Sequence, residues 1–162
     1  MEICYRPTNI DDMEALFDIL SRTRDNPIAR ERLAQMGVTP ASLGEGLETR
    51  TLCGWVSVCD KGVIGFCIGN TETGEVLVLA LLPDYEGRGI GKHLLGRVVE
   101  ALFDKGHNSL WLKADSNSEV RAHGFYRYLG WRPTGQVSEN GDERLELSRT
   151  SVLVAGKTSL VG

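Results

Sequence analysis

Residues Leu79–Leu95 read LALLPDYEGRGIGKHLL, and this stretch decides the fold. An apolar run, Val76–Leu82, meets Pro83. A glycine-dense turn follows, Gly87-Arg88-Gly89-Ile90-Gly91. A helical apolar period then begins at once with Ile90, Leu94, Leu95, Val98, Val99, Leu102 and Phe103. A strand that feeds a glycine loop opening a helix builds an anion site. The glycines let the backbone approach a ligand, and the unpaired N–H groups of the first turn point at it from the positive end of the helix dipole. The ligand expected here bears phosphate.

The spacing tests which phosphate site this is. A P-loop needs GxxxxGK followed by Ser or Thr. Gly91-Lys92 is followed by His93, and Glu86 stands in the first glycine slot, so the pattern fails twice. A dinucleotide fingerprint needs GxGxxG. Counted from Gly87 the sixth residue is Lys92, and from Gly89 it is Leu94, so neither register ends on glycine.

Outward from the loop, the chain alternates short strands and helices. Ile3–Arg6 reads as a strand ended by Pro7. Thr8 and Asn9, with Asp11 and Asp12 behind them, form a helix start, and Met13, Leu16, Phe17 and Leu20 share one face. That helix is expected to end near Arg24. Asp25–Arg50 is a polar connector with room for helices over Ala29–Met36 and Pro40–Leu47. Thr51–Cys59 and Val63–Gly69 read as a hairpin about Asp60-Lys61-Gly62. Glu75–Leu82, almost wholly apolar, is expected to be a central strand buried on both faces. The helix Gly89–Asp104 stops at Lys105-Gly106. Leu110–Ala114 is a further strand, Glu119–Leu129 a helix, and Trp131–Val137 with Arg144–Ser148 a closing antiparallel pair about Asn140-Gly141. The expected class is α+β: one mixed, mostly antiparallel sheet flanked by helices.

The chain has 162 residues, a hydrophobic fraction of 41%, a charged fraction of 25% and a net charge of −4. These values fit a globular protein and give no bulk attraction to nucleic acid or an anionic membrane. The four cysteines, Cys4, Cys53, Cys59 and Cys67, form no CxxC pair and read as small buried hydrophobes. The N-terminus shows no signal peptide and the longest apolar run is too short to span a bilayer, so a cytoplasmic protein is expected. His93, His107 and His123 show no metal-ligand spacing, and no metal is expected.

With these residues in view, the chain resembles the GCN5-related N-acetyltransferase (GNAT) family. That family's coenzyme A loop is [Q/R]-x-x-G-x-[G/A] after a buried strand and a proline. Here the slots hold Glu86 to Gly91, and only Glu86 departs from the pattern. Asn117–Trp131, NSEVRAHGFYRYLGW, is similar to the family's second motif, with Trp131 in its last aromatic slot. The resemblance runs from about Ile3 to Ser148, which implies one acetyltransferase domain over residues 1–148 and a tail over 149–162. It also implies a sheet splayed at its central strands.

The resemblance implies acetyl-CoA as co-substrate and transfer of its acetyl group to a primary amine by direct attack in a ternary complex. Backbone N–H groups over Gly87, Arg88, Gly89, Ile90, Gly91 and Lys92 would hold the pyrophosphate. Leu79, Ala80, Leu81 and Leu82 would run beside the pantetheine arm, one N–H polarising the thioester oxygen. Tyr126 matches the family's general acid toward the leaving thiolate; a phenol is protonated at neutral pH and can donate. Glu75 stands where some members carry a base, and a water chain is an equal route. Asn117 matches a coenzyme contact and would equally serve as a helix cap. Arg88 and Lys92 can reach phosphates. The acceptor, a small or peptidic amine, is not legible. Its wall is expected near Arg22–Arg50, where Asp25, Glu31, Glu45 and Glu48 are acidic. A homodimer is compatible with these residues. A non-catalytic acetyl-CoA-binding regulatory module is the alternative from another class.

Overall fold

The computed structural model describes residues 2–23, 34–35, 38–116, 121–139 and 141–149. The chain forms two compact units, Met1–Leu102 and Phe103–Gly162.

The first unit holds four strands in the order β1-β2-β3-β4: β1 (Cys4–Pro7), β2 (Leu52–Cys59), β3 (Gly62–Asn70) and β4 (Val76–Leu81). Every neighbouring pair is antiparallel. Between β1 and β2 lie α1 (Met13–Arg22) and α2 (Pro40–Thr49). A capping box precedes α1. The Asn9 side chain accepts the Asp11 amide at 2.9 Å, and Asp12 accepts the Asn9 amide at 2.9 Å. Thr39 and Ser42 form the same device ahead of α2, with Pro40 in its first turn. The α1 helix ends at Arg22, two residues before the expected Arg24, and α2 runs two residues past the expected Leu47. The expected helix Ala29–Met36 lies largely outside the described residues.

Alternation in β3 sorts the helices onto two faces. Phe66 and Ile68 join Met13, Leu16, Phe17, Ile19, Leu20 and Leu43 in one core. Gly69 faces the other way. A Cβ there would lie 2.8 Å from Val98 and 2.9 Å from Leu102, so α3 (Ile90–Asp104) is seated close against the strand by the missing side chain. All seven apolar positions that set the period of α3 are buried.

Two expectations change here. The run Glu75–Leu82 reads as doubly buried, yet β4 is the edge of its four-stranded sheet. Leu77 is 42% exposed, while Val76 and Ala80 are buried. The pairing steps from Ile68↔Val78 to Gly69↔Val76, so Leu77 is the extra residue of a bulge and turns outward. The cysteines also divide: Cys59 and Cys67 are buried, whereas Cys4 is exposed on β1, the opposite edge of the same sheet. All four are free thiols.

The second unit holds β5 (Ser109–Asp115), α4 (Arg121–Tyr128), β6 (Arg132–Val137) and β7 (Asp142–Ser148). Its three strands are antiparallel in the order β5-β7-β6. Leu110, Leu112, Leu145 and Leu147 are buried, and so is Trp131. Arg127 of α4 pairs with the buried Glu143 of β7 at 2.6 Å. The tail beyond Arg149 lies outside the described residues. No described helix is long and apolar enough to cross a membrane.

Candidate active site

The expected site residues of the first unit lie on one continuous strand, loop and helix. The Leu82 amide donates to Ile64 at 2.9 Å, which turns residue 82 toward β3. In an antiparallel ladder the direction alternates. Ala80 and Val78 therefore also face β3, and Leu79 and Leu81 present N–H and C=O to the outer edge. Of the four residues Leu79–Leu82, these two carry donors that β3 does not use.

Pro83–Tyr85 makes one 3-10 turn, and the Glu86 amide donates back to Pro83. Gly87 and Gly89 then take φ of +78° and +79°. That left-handed region costs an L-residue of ordinary kind about 1–2 kcal/mol, and glycine nearly nothing. Gly91 needs no such freedom because it already lies inside α3. The first α-helical bond runs from the His93 amide to Gly89 at 3.1 Å. The amides of Ile90, Gly91 and Lys92 thus precede any intrahelical partner and point out of the helix start. Positive main-chain potential converges on the loop, with Arg88 and Lys92 exposed beside it.

Two supports of this loop carry no sequence signal. The Tyr5 ring stacks on His93, with centroids 3.9 Å apart and planes 16° apart, which ties the start of α3 to β1. Burial pushes the Tyr5 phenol above its usual pKa. Arg88 lies over the Tyr85 ring at 5.6 Å, and the Cys59 thiol donates to the Tyr85 hydroxyl at 3.8 Å. That bond to Cys59 is the largest cause of a raised Tyr85 pKa. The Tyr5–His93 and Cys59–Tyr85 contacts join residues 88 and 26 positions apart in sequence, so local spacing could not reveal them.

Glu75 sits just before β4, its amide 3.3 Å from the Thr73 hydroxyl, and its carbonyl accepts the Asn70 amide. Tyr126 lies on α4 in the second unit. It is half-buried, edge-on to Phe125 at 5.2 Å and to Trp131 at 6.1 Å. Tyr128, two residues on, is 84% exposed. Asn117 falls outside the described residues. Among the described residues, no three His, Cys, Asp or Glu side chains gather as a metal site.

The model of the acetyltransferase (GNAT) family matches residues 13–131, well over half of the chain. The chain belongs to the GNAT family. The [ribosomal protein bS18]-alanine N-acetyltransferase of Haemophilus influenzae is 39% identical over 61 residues, covering 36% of this chain and 42% of that protein. The mycothiol acetyltransferase of Propionibacterium freudenreichii is 32% identical over 102 residues, covering 61% of this chain and 30% of that protein. The matches thus span under half the length of these curated relatives. The PaiA N-acetyltransferase of Thermoplasma acidophilum, solved in complex with coenzyme A, is 21% identical with a TM-score of 0.76, covering 91% of this chain and 99% of that one. At that identity the likeness shows the GNAT fold: antiparallel sheets flanked by helices.

Proposed function

We propose that this GNAT protein is an acetyltransferase that moves the acetyl group of acetyl-CoA to a primary amine. The observation that carries this reading is the join of β4, the edge strand of its sheet, to a loop with two left-handed glycines and an α3 start. The amides of residues 87–92 hold the pyrophosphate. The pantetheine arm lies along β4 like an added strand, its amides paired with the outward groups of Leu79 and Leu81.

One of those N–H groups polarises the thioester oxygen and then holds the oxyanion of the tetrahedral intermediate. The neutral amine nitrogen attacks the carbonyl carbon in a ternary complex. As the C–S bond breaks, the Tyr126 hydroxyl gives its proton to the leaving thiolate. Glu75 receives the amine proton. Leu79 lies four residues away, about 13 Å along the strand at roughly 3.3 Å per residue. The carboxylate at 75 therefore acts through intervening water. Asn117 contacts the coenzyme, as the match to the family's second motif implies. Glu86 stands at the slot where the family pattern has Gln or Arg, and its amide, bonded to Pro83, shapes the turn that enters the loop.

The working unit is a single acetyltransferase domain over residues 1–148, with 149–162 as a tail, in the cytoplasm. The relatives are named for an alanine of a ribosomal protein and for mycothiol, which supports an amine acceptor, small or peptidic, without narrowing it.

Thermal shift tests the ligand class. Coenzyme A and acetyl-CoA are expected to raise the midpoint, and ATP and NAD are not. A shift with ATP or NAD alone would overturn the reading. Thiol release over an amine panel separates an enzyme from a binding module. Tyr126→Phe is expected to lower kcat tenfold or more with little change in acetyl-CoA affinity, consistent with the usual 10²–10⁴-fold worth of a positioned proton donor. An unchanged kcat removes Tyr126 from the reaction.

A further inference from the structure

We infer that Gly65 is a positioning residue for the coenzyme: it provides the berth that holds the Leu81 side chain over β3 and off the β4 edge. The inference rests on the reading that the coenzyme arm pairs with that edge.

The register places Ser57, Gly65 and Leu81 in one row across β2, β3 and β4. Residues 65 and 81 face each other between the hydrogen-bonded pairs, where facing side chains come closest. Gly65 is buried, yet it has an ordinary φ, so no turn requires a glycine there. Space does. A Cβ on Gly65 would stand 2.7 Å from Leu81 Cδ1, 2.9 Å from Ser57 Oγ and 3.1 Å from the Ala80 carbonyl oxygen. The first of these distances shows where the Leu81 side chain has gone. It leans back over the β3 backbone, into the volume that a side chain at 65 would fill.

The consequence lies on the other side of Leu81. Its N–H and C=O point to the outer edge of β4, away from β3. A side chain folded toward β3 leaves that edge clear for an extended ligand chain. Were the berth filled, Leu81 would have to swing outward, across the groups expected to pair with the coenzyme arm. Ser57 is no obstacle of the same kind. Its hydroxyl is buried with no hydrogen-bond partner among the described residues, so it can rotate without losing a bond. Leu81 is therefore the group whose displacement matters.

Gly69 supplies the comparison within the same strand. A Cβ there is equally crowded, at 2.8 Å from Val98 and 2.9 Å from Leu102, but it presses on α3 and not on β4. Crowding at 69 strains packing. Crowding at 65 additionally obstructs the edge.

The test is titration of the full chain with coenzyme A, well below the melting midpoint of every variant. A wild-type protein that binds no coenzyme A overturns the proposed function itself. Given binding, Gly65→Ala is expected to raise Kd tenfold or more, and Gly69→Ala to lower the melting midpoint while leaving Kd within twofold. Leu81→Ala sets the reference for rescue. In that background Gly65→Ala is expected to change Kd less than twofold, because the side chain it would evict is gone. This comparison decides the matter even if Gly65→Ala alone fails to fold. The inference is overturned if the folded single variant binds like wild type. It is equally overturned if adding Gly65→Ala to Leu81→Ala weakens binding tenfold.

Discussion

Gly89→Ala separates a main-chain phosphate grip from a side-chain one. Gly89 holds φ +79°, and a Cβ built there has no neighbour within 4 Å. The new methyl therefore clashes with nothing in the protein, and the whole cost is conformational. Holding alanine in the left-handed region costs about 1–2 kcal/mol. The free loop will relieve that strain by leaving the binding conformation, and coenzyme A must restore it. At 1.4 kcal/mol per tenfold, the apparent Kd is expected to rise about 5- to 30-fold. Gly91→Ala is the matched control. Gly91 lies inside α3 without positive φ, where alanine is the better helix former, so its Kd is expected to stay within twofold. Calorimetric titration with coenzyme A reads both variants on one scale. Equal effects from the two substitutions, or none from Gly89→Ala, would refute the claim that backbone conformation at 89 builds the site.

Two further outcomes concern the scaffold. Arg6 grips Asp12 through two bonds of 2.9 Å, and the same carboxylate accepts the Asn9 amide. The bond from Arg6, first among the causes, holds the Asp12 pKa below its usual value. A depressed carboxylate adds stability above its unfolded pKa of about 3.9, and that stability is lost as pH falls through the folded value. Asp12→Asn is thus expected to cost about 1.5–3 kcal/mol at pH 7, toward the lower end because Arg6 is 40% exposed, and much less near pH 3. Urea midpoints at the two pH values check the sign, and a gap that widens in acid sinks it. Gly69→Val is expected to cost about 1–3 kcal/mol, since its first added carbon already meets Val98 and Leu102. An unchanged thermal midpoint would mean that α3 is not seated as described.

Legibility in the sequence followed the range of the interaction. The period Ile90 to Phe103, the Asn9 and Asp12 start and the Asp60-Lys61-Gly62 turn rest on contacts within a few residues, and they stand as read. The edge position of β4 was hidden because composition reports apolarity and not ladder partners. Val76–Leu82 carries enough Leu and Val for a doubly buried strand, while Leu77 is turned out by a bulge that only β3 reveals. Cys4 misled in the same way, a small apolar residue exposed on β1. Within the candidate site the glycines and the strand before them were legible because phosphate binding by main chain has a fixed spacing. Tyr5, Cys59 and Gly65 were not, because each acts on the loop or edge from a distant part of the chain.

The same distinction accounts for Glu86. A grip made of amides requires the right φ at a few positions and the start of a helix. Both are met here at Gly87, Gly89 and Ile90 whatever side chain stands at 86. The Glu86 amide is already committed to Pro83, which fixes the turn entering the loop. A carboxylate close to a bound pyrophosphate would repel it, an effect that falls with added salt as screening shortens its range. Glu86→Gln is therefore expected to tighten coenzyme A binding at low ionic strength and to converge with wild type as salt rises. A variant that weakens binding at every salt concentration would show instead that the Glu86 side chain is a positive part of the grip. The side chain at 86 would then set affinity on top of a site that the backbone has already built.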